Sequence, residues 1–438
     1  MQDSVEIERR GIPTVSIVAS SFSREAAIMA RSMGLDTLRQ IVVERALTDM
    51  PPDDVREALA GQADNVERLL TAPVSRPRLE GESQEAVVSY SGTDRHACWE
   101  AMNEDFLGRK WADGFPLIAP TPDLVEKMVK GTQRKRDEVV VLFEPVKGLA
   151  TVEKVAVNAA MAGCKPEHLP ILLAAIEAAH QPQAYTVNQF TSTSAVHPFI
   201  LVNGPMVKEL GICYGRGALG PGYQSRVNTA IGRAMRLCMI NLGHLNIGEG
   251  DMDTIGSPTK YGMVAGENED GSPWEPFHVE HGFAKEDNAV SVFGCDGLIP
   301  IMDMKNQEPE AILMMFAHSI NAIGAGATYY WLRGSDWNHT LLMAPEQARN
   351  VARRGYTKYA VKQYLFNNAL LPWGVIKNAI PEEWVEPGWK WLYSKPDDYM
   401  VRIAREPEQF DVVVIGGPVG KSQAMPLFGK SVTVGVRP

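Results

Sequence analysis

The chain has 438 residues, of which 45% are hydrophobic and 22% are charged, and its formal net charge is −10 at pH 7. This composition is typical of a globular enzyme with enough chain for two or three domains, and the acidic balance argues against nucleic acid or an anionic membrane as the main partner. Five scattered cysteines, none in C-x-x-C spacing, give neither a disulfide framework nor a zinc ribbon and favour a reducing, cytoplasmic location.

Residues 1–71 show the alternation of a small α/β lobe. A charged helix over residues 2–10 ends at Gly11 and leads into the strand "TVSIVAS"; the helix "SREAAIMARSMG", the strand "LRQIVVE" and the helix "PPDDVREALAGQADNVERLL" follow. An α/β unit ordinarily has a strand before such a helix, with the ligand loop between them, so a site is expected just ahead of the first helix. Residues 72–85, rich in Pro, Gly and charge, predict a linker.

Residues 86–300 predict the main α/β domain, and residues 301–438 predict a C-terminal α/β region packed on it. The main domain contains a helical pair, the buried strand "HPFILVNGP" and a glycine loop that runs into a long helix. The C-terminal region is expected to hold a helix from Pro309, the strands "ATYYWL", "HTLLMA" and "DVVVIGG", and the helix "PEQARNVARRG". The alternation predicts an α/β fold with mixed or parallel sheets and helices on both faces, without a visible short repeat.

The glycine loop combines four glycines with two arginines at the start of a helix: Gly215, Gly217, Gly220, Gly222, Arg216 and Arg226. Free amide groups and the helix dipole favour a carboxylate or phosphate at such a helix start, and glycines let a ligand approach the backbone. These residues are therefore predicted to bind the anionic group of a substrate. The alternative is a tight loop packed on a neighbouring segment, with solvated arginines.

A second cluster lies in "SPWEPFHVEHGF", where His278, Glu280 and His281 stand close together after the acidic segment "GENED". The His-x-x-His spacing can place two imidazoles on one face, as a zinc or iron site requires, although Pro273 and Pro276 disfavour a regular helix. Proton-handling side chains without a metal are the favoured interpretation, and structural histidines are the alternative. The metal content is open, with His278 and His281 as the ligands if a metal binds.

Two further histidines stand apart from this cluster. His197 begins a buried strand, and element ends are places where catalytic groups collect, so it is predicted to handle protons together with the cluster at 278–281. His318 lies on an apolar helix and is expected to be a hydrogen-bonded core residue.

The remaining candidates are thiols and a glycine-rich string. Cys213 and Cys295 are candidates for a reactive thiol, whereas Cys164 and Cys238 lie in apolar helical patterns and are expected to be inert. The string "GGPVGKS" at 416–422 is one residue short of a phosphate loop and is followed by too little chain for a nucleotide domain. A glycine turn that touches the substrate is the remaining role for it.

Several segments carry a family resemblance. "SVEIERRGIPTVSIVAS" resembles the end of the UGSC family of (seleno)proteins and, more distantly, the selenoprotein B subunit of glycine, sarcosine and betaine reductases. Longer segments are similar to the long members of the UGSC family: "TVEKVAVNAAMAGCKPEHLPILLAAIEA", "HPFILVNGPMVKELGI", "LGPGYQSRVNTAIGRAMRLCMINLG", "SPWEPFHVEHGF" and "APEQARNVARRGYTKYAVKQYLF".

The resemblance implies a nucleophile ahead of the first helix. In that family a selenocysteine or cysteine, followed by Gly-Ser-Cys, precedes the segment that corresponds to Asp3–Gly11, and its selenolate or thiolate would be activated by the helix amino end. Met1 falls just downstream of that motif. We expect either that the motif is lost or, in preference, that translation starts upstream and a selenocysteine codon was read as a stop. Translating the upstream DNA distinguishes these two cases.

Three functions follow as hypotheses. The leading one is an enzyme that acts on a small anionic organic molecule by thiol or selenol redox chemistry, such as reductive cleavage of a carbon–heteroatom bond. The first alternative is a metal-dependent hydrolase or lyase that uses the 278–281 cluster. The second is a non-catalytic subunit that binds substrate for a partner carrying the Sec/Cys motif. A homo-oligomer or a partner subunit is expected, with neither nucleic acid nor membrane as partner.

Overall fold

A computed structural model divides the chain into two compact units: residues 1–114, 142–149 and 239–252, and residues 115–141, 150–238 and 253–438. The residues that the structure describes are 2–20, 22–23, 26–27, 30, 35, 38–45, 47, 50–73, 87–184, 189–302, 308–335 and 337–438. The predicted linker and the predicted helix "SREAAIMARSMG" fall largely outside them. The predicted main domain and C-terminal region both contribute to the second unit, so the expected boundary near residue 300 does not separate two units.

The first unit begins with a helix, α1, that packs on the first strand. Its described elements are α1 (Gln2–Arg9), β1 (Ser16–Ala19), β2 (Gln40–Val43), α2 (Pro52–Leu59), α3 (Ala63–Thr71) and α4 (Arg95–Gly108). β1 and β2 are parallel. Ser4 Oγ lies 2.8 Å from Ser16 Oγ, and the buried Glu8 accepts a hydrogen bond from Thr14 Oγ1 at 3.0 Å. These contacts confirm the predicted order of helix and strand in this segment.

The chain continues with helices and strands in alternation. The described elements are α5 (Pro122–Val129), β3 (Val139–Phe143), β4 (Gly148–Thr151), α6 (Val152–Met161), α7 (Leu169–Ala179), β5 (His197–Asn203), α8 (Met206–Glu209), α9 (Arg226–Gly243), β6 (Met263–Gly266), α10 (Phe277–Glu280), β7 (Ala289–Cys295), β8 (Ile299–Ile301), α11 (Pro309–Leu332), β9 (His339–Met343), α12 (Pro345–Ala352), α13 (Lys358–Asn368), β10 (Leu370–Pro372), α14 (Trp373–Lys377), β11 (Met400–Arg402), β12 (Phe410–Val414), β13 (Ser422–Pro426) and β14 (Val432–Gly435).

Two four-stranded mixed sheets form the centre of the second unit, with the strand orders β14-β7-β5-β6 and β12-β9-β13-β8. In the first sheet β5 is parallel to β6 and antiparallel to β7. In the second sheet β9 is parallel to β12 and antiparallel to β13. A central strand with one parallel and one antiparallel neighbour therefore occurs twice along the chain, once in each sheet.

The two sheets exchange their fourth strands. β8 follows β7 in the chain but pairs with β13 in the other sheet, and β14 follows β13 but pairs with β7. The halves also match in register, because His197 lies opposite Cys295 and His339 lies opposite Pro426, at the same ends of the central strands. The second unit is thus built from two similar halves, a repeat too long to be seen as a short sequence period.

The sheets pack face to face, and helices cover their outer surfaces. Alternate residues of each strand meet in one core, to which Phe199 and Phe293 contribute from the first sheet and Leu342 and Met425 from the second. α7 packs on the outer face of the first sheet, and α11 and α13 pack on that of the second. The expected α/β fold with mixed sheets is confirmed.

The predicted strand "ATYYWL" is wrong, because these residues end the continuous helix α11. Trp331 and Leu332 are buried there against Trp373 and Ile376 in a separate apolar cluster. Aromatic residues suggested a strand locally, but packing against a distant segment decides the conformation. None of the helices in the described part of the chain combines the length and the apolar composition that crossing a membrane requires.

Candidate functional site

The carboxyl ends of the parallel strands meet on one side of the second unit. Asn268, just beyond β6, donates its backbone N–H to the carbonyl of Val414, the last residue of β12, at 2.8 Å. Its Nδ2 donates to the carbonyl of Gly416, also at 2.8 Å. Ligands of α/β proteins bind beyond such strand ends, so this edge is the candidate site.

Glu267 follows β6 directly and is buried, with 2% of its surface exposed. Its Oε2 accepts hydrogen bonds from Asn203 Nδ2 at 2.6 Å and from the Phe277 N–H at 2.7 Å. Its Oε1 is buried and has no hydrogen-bond partner among the described residues. Burial raises the pKa of Glu267, and the positive charge of Lys358 opposes this effect. A carboxyl group with one oxygen fixed by hydrogen bonds and the other without a partner among the described residues is suited to proton transfer.

Glu269 fixes the loop that leaves β5. Its Oε1 accepts the Gly204 N–H at 2.9 Å and Asn203 Nδ2 at 3.0 Å. Gly204 has a φ of +92°, and a Cβ atom there would lie 2.3 Å from the Asp287 carbonyl oxygen, so this turn requires glycine. Because one amide nitrogen contacts both carboxylates, Glu267 and Glu269 are close neighbours.

These two acids line a cleft with a volume of about 480 Å³, which is large enough for a small organic molecule. The other lining residues come from the loop after β5, from α8, from the segment after α8 and from the segments after β6 and α10: Gly204, Pro205, Val207, Lys208, Glu209, Tyr214, Asp270, Lys285 and Glu286. Lys208 Nζ pairs with Asp270 at 2.7 Å.

Glu280, predicted to handle protons, is paired with two lysines. Lys358 Nζ lies 2.8 Å and Lys362 Nζ 3.3 Å from its carboxylate oxygens. Lys358 is buried and also donates to the Glu275 carbonyl at 2.7 Å. The lysines are one turn apart on α13, so both reach α10. In this arrangement Glu280 connects α10 to α13.

The two predicted histidines of α10 have different surroundings. His281 Nδ1 lies 2.8 Å from the Phe277 carbonyl, and its ring packs on the Phe277 ring with centroids 4.3 Å apart. His278 is fully buried, and neither ring nitrogen has a hydrogen-bond partner in the described part of the chain. His278 therefore remains the candidate of this pair, one residue from the N–H group that holds Glu267.

His197 lies at the other end of β5. Asn203, the residue of β5 that donates to Glu267, lies six residue steps from His197, which corresponds to about 20 Å along a strand. His197 is fully buried, and burial, with the charge of Arg236, lowers its pKa to about 3. The imidazole is therefore neutral at physiological pH.

Several charged side chains lie near the end of β5 that carries His197. Lys260 Nζ lies 2.8 Å from Asp253 in a buried pair. Asp296 follows β7, and burial, with the negative charge of Asp253, raises its pKa to about 6. Neither of these acids, Asp253 and Asp296, was singled out by the sequence, although Asp296 directly follows the candidate thiol Cys295.

The glycine loop is held by a buried asparagine of α9. Asn228 Nδ2 donates to the carbonyls of Cys213 at 2.8 Å and Val264 at 2.9 Å, and its Oδ1 accepts the Cys213 N–H at 2.8 Å. The loop then meets the turn after β12, where the Gly416 N–H donates to the Tyr214 carbonyl at 2.9 Å. The predicted loop and the helix start near residue 225 are confirmed.

The two arginines of the loop diverge. Arg216 is exposed and packs against Gly417, where a Cβ atom would come 2.9 Å from the Arg216 Cβ. Arg226 is exposed and stands about 200° around α9 from Asn228, so it points away from the loop. Burial lowers the pKa of His168, the charge of Glu167 opposes this effect, and the positive charges of Lys165 and Arg226 add to it. Arg216 is therefore the better candidate for an anion at the loop.

The turn in "GGPVGKS" is engaged in structural contacts. The Gly420 N–H donates to Glu346 at 2.9 Å, and the Ala344 N–H donates to Ser422 Oγ at 3.0 Å. Ser422 Oγ in turn donates to Gln347 Oε1. The hydroxyl that would serve a phosphate loop is thus occupied by α12 and its N-cap residue.

Three thiols are buried. Burial raises the pKa of Cys164 and Cys295 to about 12, and it also raises that of Cys238. Cys295, a predicted candidate for a reactive thiol, is therefore protonated and inaccessible. Cys213 is half-buried beside the glycine loop and remains the candidate thiol of the second unit.

The expectation for His318 is wrong, because this residue is exposed on α11. The buried face of the helix is formed by Phe316, Ala317 and Ile320. A strongly apolar sequence did not reveal which positions of this helix face solvent.

The sequence alone did not assign a function to the acids of the cleft. The segment "GENED" was noted only as acidic residues that precede the histidines. The available signal is position, since Glu267 directly follows a buried strand and strand ends collect ligand-binding groups. No local signal identifies Lys358, because 78 residues separate it from Glu280.

Within the described residues, no three His, Cys, Asp or Glu side chains are arranged to hold a metal ion, so the predicted His278–His281 pair lacks a third protein ligand there. Fold and cleft together define an α/β protein with a cleft of small-molecule size at the carboxyl ends of parallel strands. Residues 1–72, less than a fifth of the chain, match the model of the UGSC family, which confirms the predicted UGSC resemblance for this segment. No curated protein and no solved structure matches the chain.

Proposed function

We propose that the chain is an enzyme that binds a small organic molecule in the cleft beyond β5 and β6 and uses Glu267 to transfer a proton. The supporting observation is the asymmetry of this carboxyl group. One oxygen is held by Asn203 and the Phe277 N–H, and the other is buried, unpartnered within the described residues and part of a residue that lines the cleft.

The elevated pKa of Glu267 supports this role, because both protonation states then become accessible closer to neutral pH than for an ordinary glutamate. As a base, Glu267 Oε1 takes a proton from the substrate and becomes the neutral acid; as an acid, it returns that proton. The base form becomes populated as the pH rises through the raised pKa.

The predicted anionic group of the substrate would bind beside this cleft. Tyr214 begins the glycine loop and lines the cleft, and Arg216 lies exposed two residues further on. We assign the anionic group to Arg216 and the loop backbone, and we favour Arg216 over Arg226 because Arg226 stands about 200° around α9 from Asn228, which holds the loop.

A second candidate function, thiol or selenol redox chemistry on the same substrate, is favoured by the UGSC match over residues 1–72. The buried thiols of the second unit do not supply its nucleophile. The sequence upstream of Met1 tests it: a strand that ends in (Sec/Cys)-Gly-Ser-Cys supports this function, and an unrelated sequence removes it.

The proton-transfer function is tested by NMR in D₂O with a panel of amines, amino acids and organic acids. We expect at least one compound to be converted or to exchange a C–H proton for deuterium. Glu267→Gln should slow that reaction by about a hundredfold or more, the usual size of a general acid–base contribution. Glu310→Gln, an exposed carboxylate bonded to Tyr356, is the matched control and should keep the wild-type rate. Equal rates in both variants would overturn the proposal.

A further inference from the structure

The cleft carries an excess of negative charge. Five carboxylates line it, from Glu209, Glu267, Glu269, Asp270 and Glu286, against two lysines. One of those lysines is already neutralised by its ion pair with Asp270. An anionic or neutral ligand would gain nothing from this lining, whereas a cation would be attracted to it.

Two of the carboxyl groups that line the cleft, those of Glu267 and Glu269, are neighbours, and one of their oxygens lacks a hydrogen-bond partner among the described residues. Asn203 Nδ2 donates a hydrogen bond to Glu267 and another to Glu269, so this amide group lies between the two carboxyl groups. Glu267 Oε1 is enclosed without a partner in the part of the chain that the structure describes. A buried carboxylate oxygen left in this state is costly, and a charged donor satisfies it best.

The shape and lining of the cleft distinguish between types of cation. A metal ion would need several ligands around one point, and no such group of three exists among the described residues. An ammonium group needs fewer fixed protein groups than a metal ion, because its own N–H groups donate hydrogen bonds to carboxylate oxygens. Val207, Pro205 and Tyr214 give the same cleft apolar surface for the carbon part of an organic molecule.

We propose that the cleft binds its ligand through a protonated amino group placed against Glu267 Oε1 and Glu269. This inference rests on the proposed function of the cleft and adds the substrate class, a small primary or secondary amine. An anionic group at Arg216 and an ammonium group at Glu267 are compatible with one zwitterionic molecule.

Butylamine, butanol and butyrate are the probes, because they have nearly the same shape and differ in charge. Binding to the full chain is measured by ligand-detected NMR and titration at low salt. We expect butylamine to bind at least about tenfold more tightly than the other two, the size of one charge-assisted hydrogen bond. Equal affinities, or tighter binding of butyrate, would overturn the proposal. Nα-acetyl-lysinamide carries the same ammonium group on a peptide, and tighter binding of it than of butylamine would assign the amine to a protein side chain.

Two variants locate the bound amine. Glu267→Gln and Glu269→Gln should each weaken butylamine binding about tenfold and leave butanol binding unchanged. Glu310→Gln, outside the cleft, should bind butylamine as the wild type does. Because Glu269→Gln can also loosen the loop after β5, the comparison of the three compounds on the wild-type protein stands as an independent test.

The two proposals fail in different ways. If amine binding depends on Glu267 but no compound reacts in D₂O, the proposed enzymatic function is contradicted and the proposed amine site is retained. If a reaction depends on Glu267 but its substrates lack an amino group, the proposed enzymatic function is retained and the proposed amine site is contradicted.

Discussion

His197 and His339 begin the central strands of the two halves, and both are buried. His197 Nδ1 lies 3.0 Å from the Pro198 carbonyl, and its Nε2 has no partner within the described residues. Burial lowers the pKa of His339 to about 4 and that of His197 to about 3. Both are neutral in the folded protein and would bind protons after unfolding, so the stability of the protein should fall in acid.

These histidines predict a loss of stability in acid. Their folded pKa values lie below the ordinary value of 6.5, so their contribution is complete above pH 6.5 and is lost as the pH falls toward 3 to 4. Chemical denaturation from pH 7 to pH 4 should show a shallower decline of the unfolding free energy for His197→Gln/His339→Gln than for the wild type. Each histidine contributes up to about 1.4 kcal/mol per pH unit.

Thr340→Val is the control for the histidine variant, since Thr340 is fully buried next to His339 and has no titratable group. This change should alter the unfolding free energy without altering its dependence on pH. A double histidine variant with the wild-type slope would contradict the assignment.

Among the elements, the glycine loop shows which features could be predicted from the sequence and which could not. The glycines and the helix start are local signals, and both were predictable. The partners of Asn228 were not, because Cys213 and Val264 come from separate segments and only the fold brings them together. The direction of Arg226 follows from the same contact, since burial of Asn228 turns position 226 outward.

Asn228→Ala should loosen the glycine loop. The change removes the buried amide that serves both backbone groups of Cys213, and the unpaired groups should lower the unfolding free energy by about 2 to 4 kcal/mol. Hydrogen exchange should show faster exchange of the Cys213 amide. Asn378→Ala, which removes one exposed bond to the Gly374 carbonyl, should cost less than about 1 kcal/mol. An unchanged Cys213 amide in Asn228→Ala would contradict this account.

For the whole molecule, the α/β class was predictable from the alternation of helix and strand patterns, but the pairing of strands was not. The sequence places β8 next to β7 and β14 next to β13, and local reasoning joins each to its neighbour. The exchange between sheets depends on contacts across more than a hundred residues, such as the 2.8 Å contact between Ser291 Oγ and Thr433 Oγ1.

The exchange predicts the effect of removing residues 430–438. This truncation deletes β14, so the amides of β7, its partner, should exchange faster, whereas the amides of β13, which precedes β14 in the chain, should keep their protection. Hydrogen exchange with mass spectrometry measures both peptides in one experiment. Arg437→Ala, which removes only the ion pair with Glu177, is the control and should leave β7 protected. Equal loss of protection in both strands would contradict the exchange.

The exchanged strands also bear on synthesis of the protein. β14, the edge partner of β7, leaves the ribosome long after β5, β6 and β7 have emerged. Until then the nascent chain exposes an open strand edge, where another growing chain could add on. Slow translation or premature termination between β7 and β14 should therefore be more harmful here than in a protein whose halves close independently.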